Sequence, residues 1–154
     1  MLLFIIKDIS FKVFNLPILF YLYLVKQFTL TKTERLKSRK QIDLLFQEGK
    51  NFRVGPIKVI YRLELSGKEP LQFGVTAPSR NFKKAVDRNR IKRLMREAWR
   101  LNCIDLKSEL LQKSKYLVVF FIFSGREIPD FNEVVEKTIK AIGNLSEIVV
   151  SSKL

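Results

Sequence analysis

The densest group of chemically active side chains lies in residues 83–100, which read KKAVDRNRIKRLMREAWR. Eight of these eighteen residues are Lys or Arg, and only Asp87 and Glu97 oppose them. Ammonium and guanidinium groups donate hydrogen bonds to phosphate and carboxylate oxygens, and guanidinium does so through two parallel bonds. The chemistry that this stretch offers is therefore the binding of an anionic partner.

The spacing of the cations adds to this interpretation. Arg88, Lys92, Arg96 and Arg100 follow one another at intervals of four, so a helix would place them on one face. Like charges at this spacing destabilise an isolated helix by about 0.2–0.5 kcal/mol per pair. Arg88 and Arg90 would also stand near the helix N-terminus, where the dipole disfavours cations and favours phosphate. A partner that brings the anions explains the pattern, while a merely solvated basic face is the alternative.

The same segment predicts an amphipathic helix at about 100° per residue. Its apolar sector contains Ile91, Leu94, Met95, Ala98, Trp99 and Leu101. Its polar sector contains Asn89, Lys92, Arg93, Arg96 and Arg100, and Glu97 lies off that face. We expect the apolar side to cover a sheet, which leaves the polar side for a polyanion.

Composition narrows the function further. Among 154 residues, 29 Lys and Arg outnumber 15 Asp and Glu, which gives a net charge of +14 and favours a nucleic acid or an anionic membrane as partner. The chain has no histidine, which excludes imidazole bases and His-ligated zinc. Cys103 is the single cysteine, so no internal disulfide forms, and we expect a buried structural thiol in a reducing cytoplasm. No paired carboxylate motif is present, so we expect no catalytic residues in the protein.

The elements that must position this helix can be read from hydrophobic periodicity. A capping box at Thr31 and Glu34, with Thr33 as a rival cap, predicts a helix over 33–48 that Gly49 ends. Its inner face would contain Leu36, Ile42, Leu45 and Phe46. Alternation predicts a strand over 57–65, and the turn signal at 66–70 predicts that 71–77 returns as the second strand of a hairpin.

The C-terminal part predicts one more strand and one more helix. The apolar run at 116–123 indicates a strand buried on both faces. A capping box at Asp130 and Glu133 begins a last helix, which Gly143 and Asn144 would end. The predicted order is α-β-β-(basic helix)-β-α, an α+β single domain in which helices pack on a small mixed sheet.

The first 26 residues, MLLFIIKDISFKVFNLPILFYLYLVK, differ from the rest. Their longest uncharged run, 13–25, is shorter than the roughly 20 residues that span a bilayer, and Asn15 and Pro17 interrupt it. No small-x-small cleavage site follows the run. We interpret the segment as a non-functional extension and expect no membrane contact from residues 1–26, with a short membrane anchor as the alternative.

Three stretches together resemble the bacterial ribonuclease P protein component. AVDRNRIKRLMREAWRLN resembles the signature helix of that family, whose hallmark is an Arg-Asn-Arg core. ERLKSRKQIDLLFQEGK is similar to its first helix, and FGVTAPSRNFKKAV to its second strand and the following loop. The resemblance implies an extension at 1–27, a ribonuclease P protein domain at 28–148 and a tail at 149–154.

The resemblance also implies a division of labour. A catalytic RNA removes the 5′ leader of precursor tRNA, using Mg²⁺ that the RNA binds, and the protein alone binds no cofactor. The protein, a cytoplasmic accessory subunit with no obligate protein partner, binds that RNA and the leader and broadens the substrate range. The family's fold includes a left-handed crossover. A generic basic RNA-binding or ribosome-associated module is the alternative function.

Carried over by position, the resemblance implies two sets of site residues. The RNA-binding set is Arg80, Lys83, Lys84, Arg88, Asn89, Arg90, Lys92, Arg93, Arg96 and Arg100. Asn89 would also orient a hydrated metal ion held by the RNA. Phe46 and Tyr61 would stack on leader bases in a cleft between the first helix and the sheet, with plain core packing as the alternative. The chain departs from the family at 76–80, which reads TAPSR, and at Ile42 in place of a cleft phenylalanine.

Overall fold

The protein is a four-stranded mixed sheet with helices on both faces. The computed structural model describes residues 30–152. The strands are β1 (Lys50–Val54), β2 (Ile57–Glu64), β3 (Leu71–Thr76) and β4 (Tyr116–Phe123), in the spatial order β1-β2-β4-β3. The helices are α1 (Arg39–Glu48), α2 (Ala85–Asn102), α3 (Ile104–Gln112) and α4 (Phe131–Ser151). This architecture confirms the predicted α+β class.

The two faces of the sheet build two apolar cores. Alternate side chains of a strand point to opposite faces. Ile57, Val59 and Tyr61 of β2 point into the larger core, which α2, α3 and α4 cover. Ile60 points the other way, into a smaller core that α1 covers with Leu45. We call the side of the sheet under α1 the α1 face.

The predicted hairpin of the second and third strands is wrong. β2 and β3 do not pair with each other; β4 lies between them, antiparallel to β2 and parallel to β3. The physical reason is that β4 is apolar on both faces, so the buried centre of the sheet is its most favourable place. A parallel pair requires a crossover, which α2 and α3 supply. The left hand of this crossover stays a prediction.

The helix predicted over 33–48 begins later, at Arg39. The side chain of Ser38 caps it, with Oγ accepting a hydrogen bond from the backbone N–H of Gln41 at 3.5 Å. Its predicted end at Gly49 is confirmed, where the N–H donates to the Leu45 carbonyl at 2.9 Å. A Cβ at Gly49 would lie 2.2 Å from the oxygen of that carbonyl, so this close approach requires glycine.

The predicted capping box exists, but it closes a turn before the helix. The Thr31 N–H donates to Glu34 Oε2 at 2.8 Å, and the Glu34 N–H donates to Thr31 Oγ1 at 3.3 Å. The chain then runs extended beside β3: the Leu36 N–H donates to the Phe73 carbonyl at 2.9 Å, and the Phe73 N–H donates to the Glu34 carbonyl at 2.8 Å. The backbone groups of Glu34 and Leu36 thus form their hydrogen bonds with the edge of β3, whereas in a helix they would bond to residues of the same helix.

Two elements escaped the sequence prediction. β1 is a short edge strand with three exposed residues and no clear alternation, joined to β2 by a turn at Gly55, whose φ is +56°. α3 follows α2 after a break at Cys103. Both elements are too short to show a clear hydrophobic period in the sequence. Pairing with β2 fixes the position of β1, and burial of Leu106 and Leu110 fixes that of α3.

The predicted end of the last helix at Gly143 and Asn144 is wrong. α4 continues to Ser151 because Leu145 and Val149 are fully buried, and their packing outweighs the roughly 1 kcal/mol cost of a helical glycine. The domain end predicted after residue 148 therefore falls within this helix. Lys115 Nζ donates to the Val149 carbonyl at 3.1 Å, a favourable place for a cation at a helix C-terminus.

The predicted extension over 1–27 lies outside the described residues, as do 153 and 154. Within residues 30–152, no helix has both the length and the apolar character needed to cross a membrane.

Candidate RNA interface

α2 is held in one rotational setting by its buried side. Ile91, Met95, Ala98 and Trp99 are fully buried. The Trp99 ring stacks on Phe73 of β3 at a centroid distance of 4.2 Å and an interplanar angle of 5°. The predicted amphipathic helix is therefore confirmed, except that Leu101 is 40% exposed rather than part of the apolar sector.

The opposite side of α2 is a positively charged surface. Asn89, Arg90, Arg93 and Arg96 are exposed, and Arg88, Lys92 and Arg100 are half-buried. All the predicted helix residues of the RNA-binding set thus lie on or beside one accessible surface, which we call the basic face.

Arg88 has a second task at the start of this helix. Its Nη1 donates hydrogen bonds to the carbonyls of Phe82 at 2.8 Å and Lys83 at 2.7 Å. These bonds fix the loop before α2 against the first turn of the helix. Arg88 therefore positions the neighbouring cations, with only part of its guanidinium left for a phosphate.

Glu97 lies off the polar sector of α2, as predicted, but its carboxylate reaches the C-terminal end of the basic face. Glu97 forms an ion pair with Arg100, whose Nε donates to Glu97 Oε2 at 3.0 Å. These hydrogen bonds hold the pKa of Glu97 below its ordinary value. Residues three apart are neighbours on a helix, so Glu97 reaches Arg100 from beside the row of cations spaced at intervals of four. Within residues 30–152, Arg88, Lys92 and Arg96 of that row form no ion pair, whereas Arg100 is neutralised by Glu97.

The loop at 77–84 extends the basic face and is anchored at several points. The N–H groups of Asn81 and Phe82 donate to the Pro78 carbonyl, each at 3.2 Å. Asn81 Nδ2 also donates to the carbonyls of Ser124 at 3.1 Å and Gly125 at 3.0 Å, and Phe82 is buried. The proline that departs from the family pattern thus contributes its carbonyl to the turn. The exposed charged side chains on this loop are those of Arg80, Lys83 and Lys84.

On the α1 face, Phe46 is placed as an aromatic contact residue. Its side chain is 48% exposed, and its ring meets the ring of Phe120 edge-on at 5.5 Å. Phe120 and Ile60 lie buried beneath it. Half of the Phe46 ring is therefore available to another flat group.

The structure contradicts the pairing of Tyr61 with Phe46 in one cleft. Tyr61 points into the larger core on the opposite side of the sheet, where it is 9% exposed and contacts Phe52 at 5.8 Å. Its neighbour Ile60 is the residue of β2 that faces α1. The alternation of β2 could have predicted this position, because Tyr61 points to the same side of the strand as the apolar Ile57 and Val59.

Two cations on the α1 face were missed by the sequence analysis. Arg53 of β1 and Lys58 of β2 pair directly across the two strands. Like charges in this position destabilise a sheet. At the other end of β2, Arg62 Nη1 donates to Glu48 Oε2 at 2.7 Å, which neutralises that end. The α1 face is therefore basic at its Arg53–Lys58 end.

Neither a metal centre nor a reactive thiol is evident in the described part of the chain. No group of three or more Cys, Asp or Glu residues there is arranged to hold a metal ion. Burial raises the pKa of Cys103 to about 11, so the thiol stays protonated near neutral pH and is a poor nucleophile.

A protein-family model described as Ribonuclease P matches residues 30–146, most of the chain and all of the elements described above except the end of α4. The chain belongs to the ribonuclease P protein family. The resemblance that the three stretches of sequence indicated is confirmed, and the chain takes part in tRNA processing as a protein component of ribonuclease P.

Relatives and solved structures agree with this family. The ribonuclease P protein component of Porphyromonas gingivalis is 38% identical over 128 residues, which cover 82% of this chain and 93% of the relative. That of Dictyoglomus turgidum is 34% identical over 111 residues, with 71% and 86% covered. The structure of the Thermotoga maritima protein is similar with a TM-score of 0.56 at 27% identity, covering 72% of this chain and 96% of that one. The Staphylococcus aureus protein, at 16% identity, TM-score 0.54 and coverage of 77% and 99%, shows the same fold.

Proposed function

We propose that the basic face of α2 and the loop at 77–84 hold the ribonuclease P RNA through its phosphates. One observation carries this proposal: Arg90, Arg93 and Arg96 are exposed on a single surface, and none forms an ion pair with a described residue. Such a surface costs free energy until anions neutralise it. A folded RNA supplies phosphates at the required density.

The 5′ leader of precursor tRNA would bind along the α1 face. Phe46 offers a half-exposed ring for an unpaired base, and stacking of this kind contributes about 1–3 kcal/mol per base. Arg53 and Lys58 supply the charge for leader phosphates at the same face. Ile42 is half-buried in α1 and contributes an aliphatic surface where the family has an aromatic ring.

Catalysis in this proposal belongs to the RNA and to the Mg²⁺ that it binds. The absence of histidine supports this division. Asn89, exposed at the start of the basic face, would contact a hydrated ion held by the RNA. The protein would act in the cytoplasm as an accessory subunit without an obligate protein partner, and it would broaden the range of precursors that are processed.

Reconstitution tests this function directly. The purified chain is added to its cognate ribonuclease P RNA and precursor tRNA at a low magnesium concentration, and the rate of leader removal is measured. We expect a clear gain over the RNA alone and no cleavage by the protein alone. RNA binding without any gain in cleavage would favour the generic RNA-binding module instead.

A further inference from the structure

A groove of about 330 Å³ lies between α2 and the extended segment that precedes α1. Its lining consists of Leu30, Arg35, Arg93, Arg96, Glu97 and Arg100. Arg93 and Arg96 belong to the basic face, whereas Arg35 lies in the stretch that resembles the family's first helix and is not among the predicted site residues. The groove thus brings arginines from two distant parts of the sequence together.

The backbone that carries Arg35 is fixed in place. The residues on either side, Glu34 and Leu36, are both buried and make the two backbone hydrogen bonds to Phe73. Glu34 is further held by an ion pair with Lys107 of α3. Arg35 itself is exposed, so its side chain projects from a rigid rim beside α2.

The charges of this groove are not balanced within the described residues. Neither Arg35, Arg93 nor Arg96 forms an ion pair there, and the one carboxylate in the lining, that of Glu97, pairs with Arg100. The pKa of Arg96 is lowered, first by burial and then by the positive charges of Arg35 and Arg93. The three guanidinium groups repel one another, and an anion bound among them would offset that repulsion.

We propose that Arg35, Arg93 and Arg96 together bind one phosphodiester group of the RNA. Guanidinium forks match the oxygens of phosphate and donate two bonds each, so three of them can surround a single group. The site extends the RNA-binding surface from α2 onto the segment before α1. This inference rests on the proposed function for the identity of the RNA, but the anion site itself does not.

The first test measures the affinity of the full chain for its ribonuclease P RNA at several salt concentrations. Arg35→Ala should weaken binding about tenfold at low salt and lower the log–log salt slope by about 0.7–0.9, the value for one lost phosphate contact. Lys113→Ala removes an exposed charge from the turn after α3 and is the matched control. Arg35→Lys keeps the positive charge but loses the paired N–H donors of the guanidinium group, so its affinity for the RNA should lie between those of Arg35→Ala and Lys113→Ala.

A double-mutant comparison tests whether the arginines share one phosphate. If they do, Arg35→Ala combined with Arg96→Ala should weaken binding by less than the product of the two single effects. Thermal unfolding of each variant identifies any loss of affinity that comes from misfolding. An Arg35→Ala variant that is folded and binds like Lys113→Ala would overturn the proposal.

The second test separates this inference from the proposed function. The Nε–H signals of the arginines are followed by NMR while the free chain is titrated with inorganic pyrophosphate. The signals of Arg35, Arg93 and Arg96 should shift together with one apparent dissociation constant, whatever RNA the protein binds in the cell. If wild type fails to bind ribonuclease P RNA but these signals shift, the proposed function fails alone. If the chain binds that RNA and Arg35 does not respond, the anion site is refuted alone.

Discussion

Phe46 and Tyr61 are two aromatic residues with opposite surroundings, although their sequence positions suggested one role. Phe46 is half-exposed above the α1 face, and Tyr61 is buried in the larger core. A base can stack on the first ring, whereas only 9% of the second residue is exposed. Ile60, one residue before Tyr61 on β2, does lie on the α1 face, because successive side chains of a strand point to opposite faces.

A pair of substitutions tests this difference. We expect Phe46→Ala to weaken binding of precursor tRNA by about 1–3 kcal/mol, the contribution of one stacked base, and to leave mature tRNA binding unchanged. Tyr61→Phe keeps the buried ring and should alter neither. Leader-dependent affinity, measured by fluorescence anisotropy with both tRNA forms, checks the result. Leu111→Ala, at an exposed leucine of α3, is the control, and an equal loss for both tRNA forms would contradict the stacking role.

At the scale of elements, the segment before α1 is joined to α3 by one ion pair. Lys107 Nζ donates to Glu34, and Thr31 donates to the same carboxylate from its N–H and its hydroxyl. Burial alone would raise the pKa of Glu34, but these hydrogen bonds and the charge of Lys107 outweigh it, so the pKa is lowered. This pair supports the backbone on which Arg35 is displayed.

The pair makes stability depend on pH in a defined direction. Because the pKa of Glu34 is lowered on folding, its contribution is present above the unfolded value of about 4.5 and is lost as the pH falls through the folded value. Lys107→Met leaves the carboxylate of Glu34, a residue that is only 5% exposed, without its cation. The substitution should reduce the free energy of unfolding by about 2 kcal/mol at pH 7. The reduction should shrink as the pH falls, because protonation removes the unpaired charge of Glu34 in the variant.

Urea unfolding at pH 7 and pH 4 measures this effect. Lys113→Met is the matched control, since it makes the same change at an exposed residue six positions further on. A loss in Lys107→Met that is the same at both pH values would show that the ion pair is not its cause.

For the whole molecule, the charge of +14 and the extended basic surface predict a strong dependence of RNA affinity on salt. If about six phosphates are contacted, the log–log slope should be roughly −4 to −5. Arg90→Ala and Arg93→Ala should each reduce its magnitude by about 0.7–0.9. Lys68→Ala, in the exposed turn between β2 and β3, should leave it unchanged. A slope near zero for wild type would mean that the basic face is only solvated.

Local sequence patterns predicted most of the helices and strands of this protein. The 3.6-residue period of residues 85–102 predicted both the buried and the charged sides of α2, and the all-apolar run at 116–123 predicted β4 with both faces covered. The order of the predicted elements sufficed for the fold class, and the resemblance of three stretches of sequence indicated the family. These features depend on neighbours in sequence, which is why the sequence alone reveals them.

Only the tertiary structure decided how distant parts meet. It placed β4 between β2 and β3, drew residues 34–36 out of a predicted helix to pair with β3, and carried α4 past Gly143. In each case long-range pairing or burial outweighed a local preference. The same contacts brought Arg35 beside Arg93 and Arg96 and separated Tyr61 from Phe46. The basic helix could be recognised from its own residues, but the extent of the surface to which it belongs depended on the packing of the whole chain.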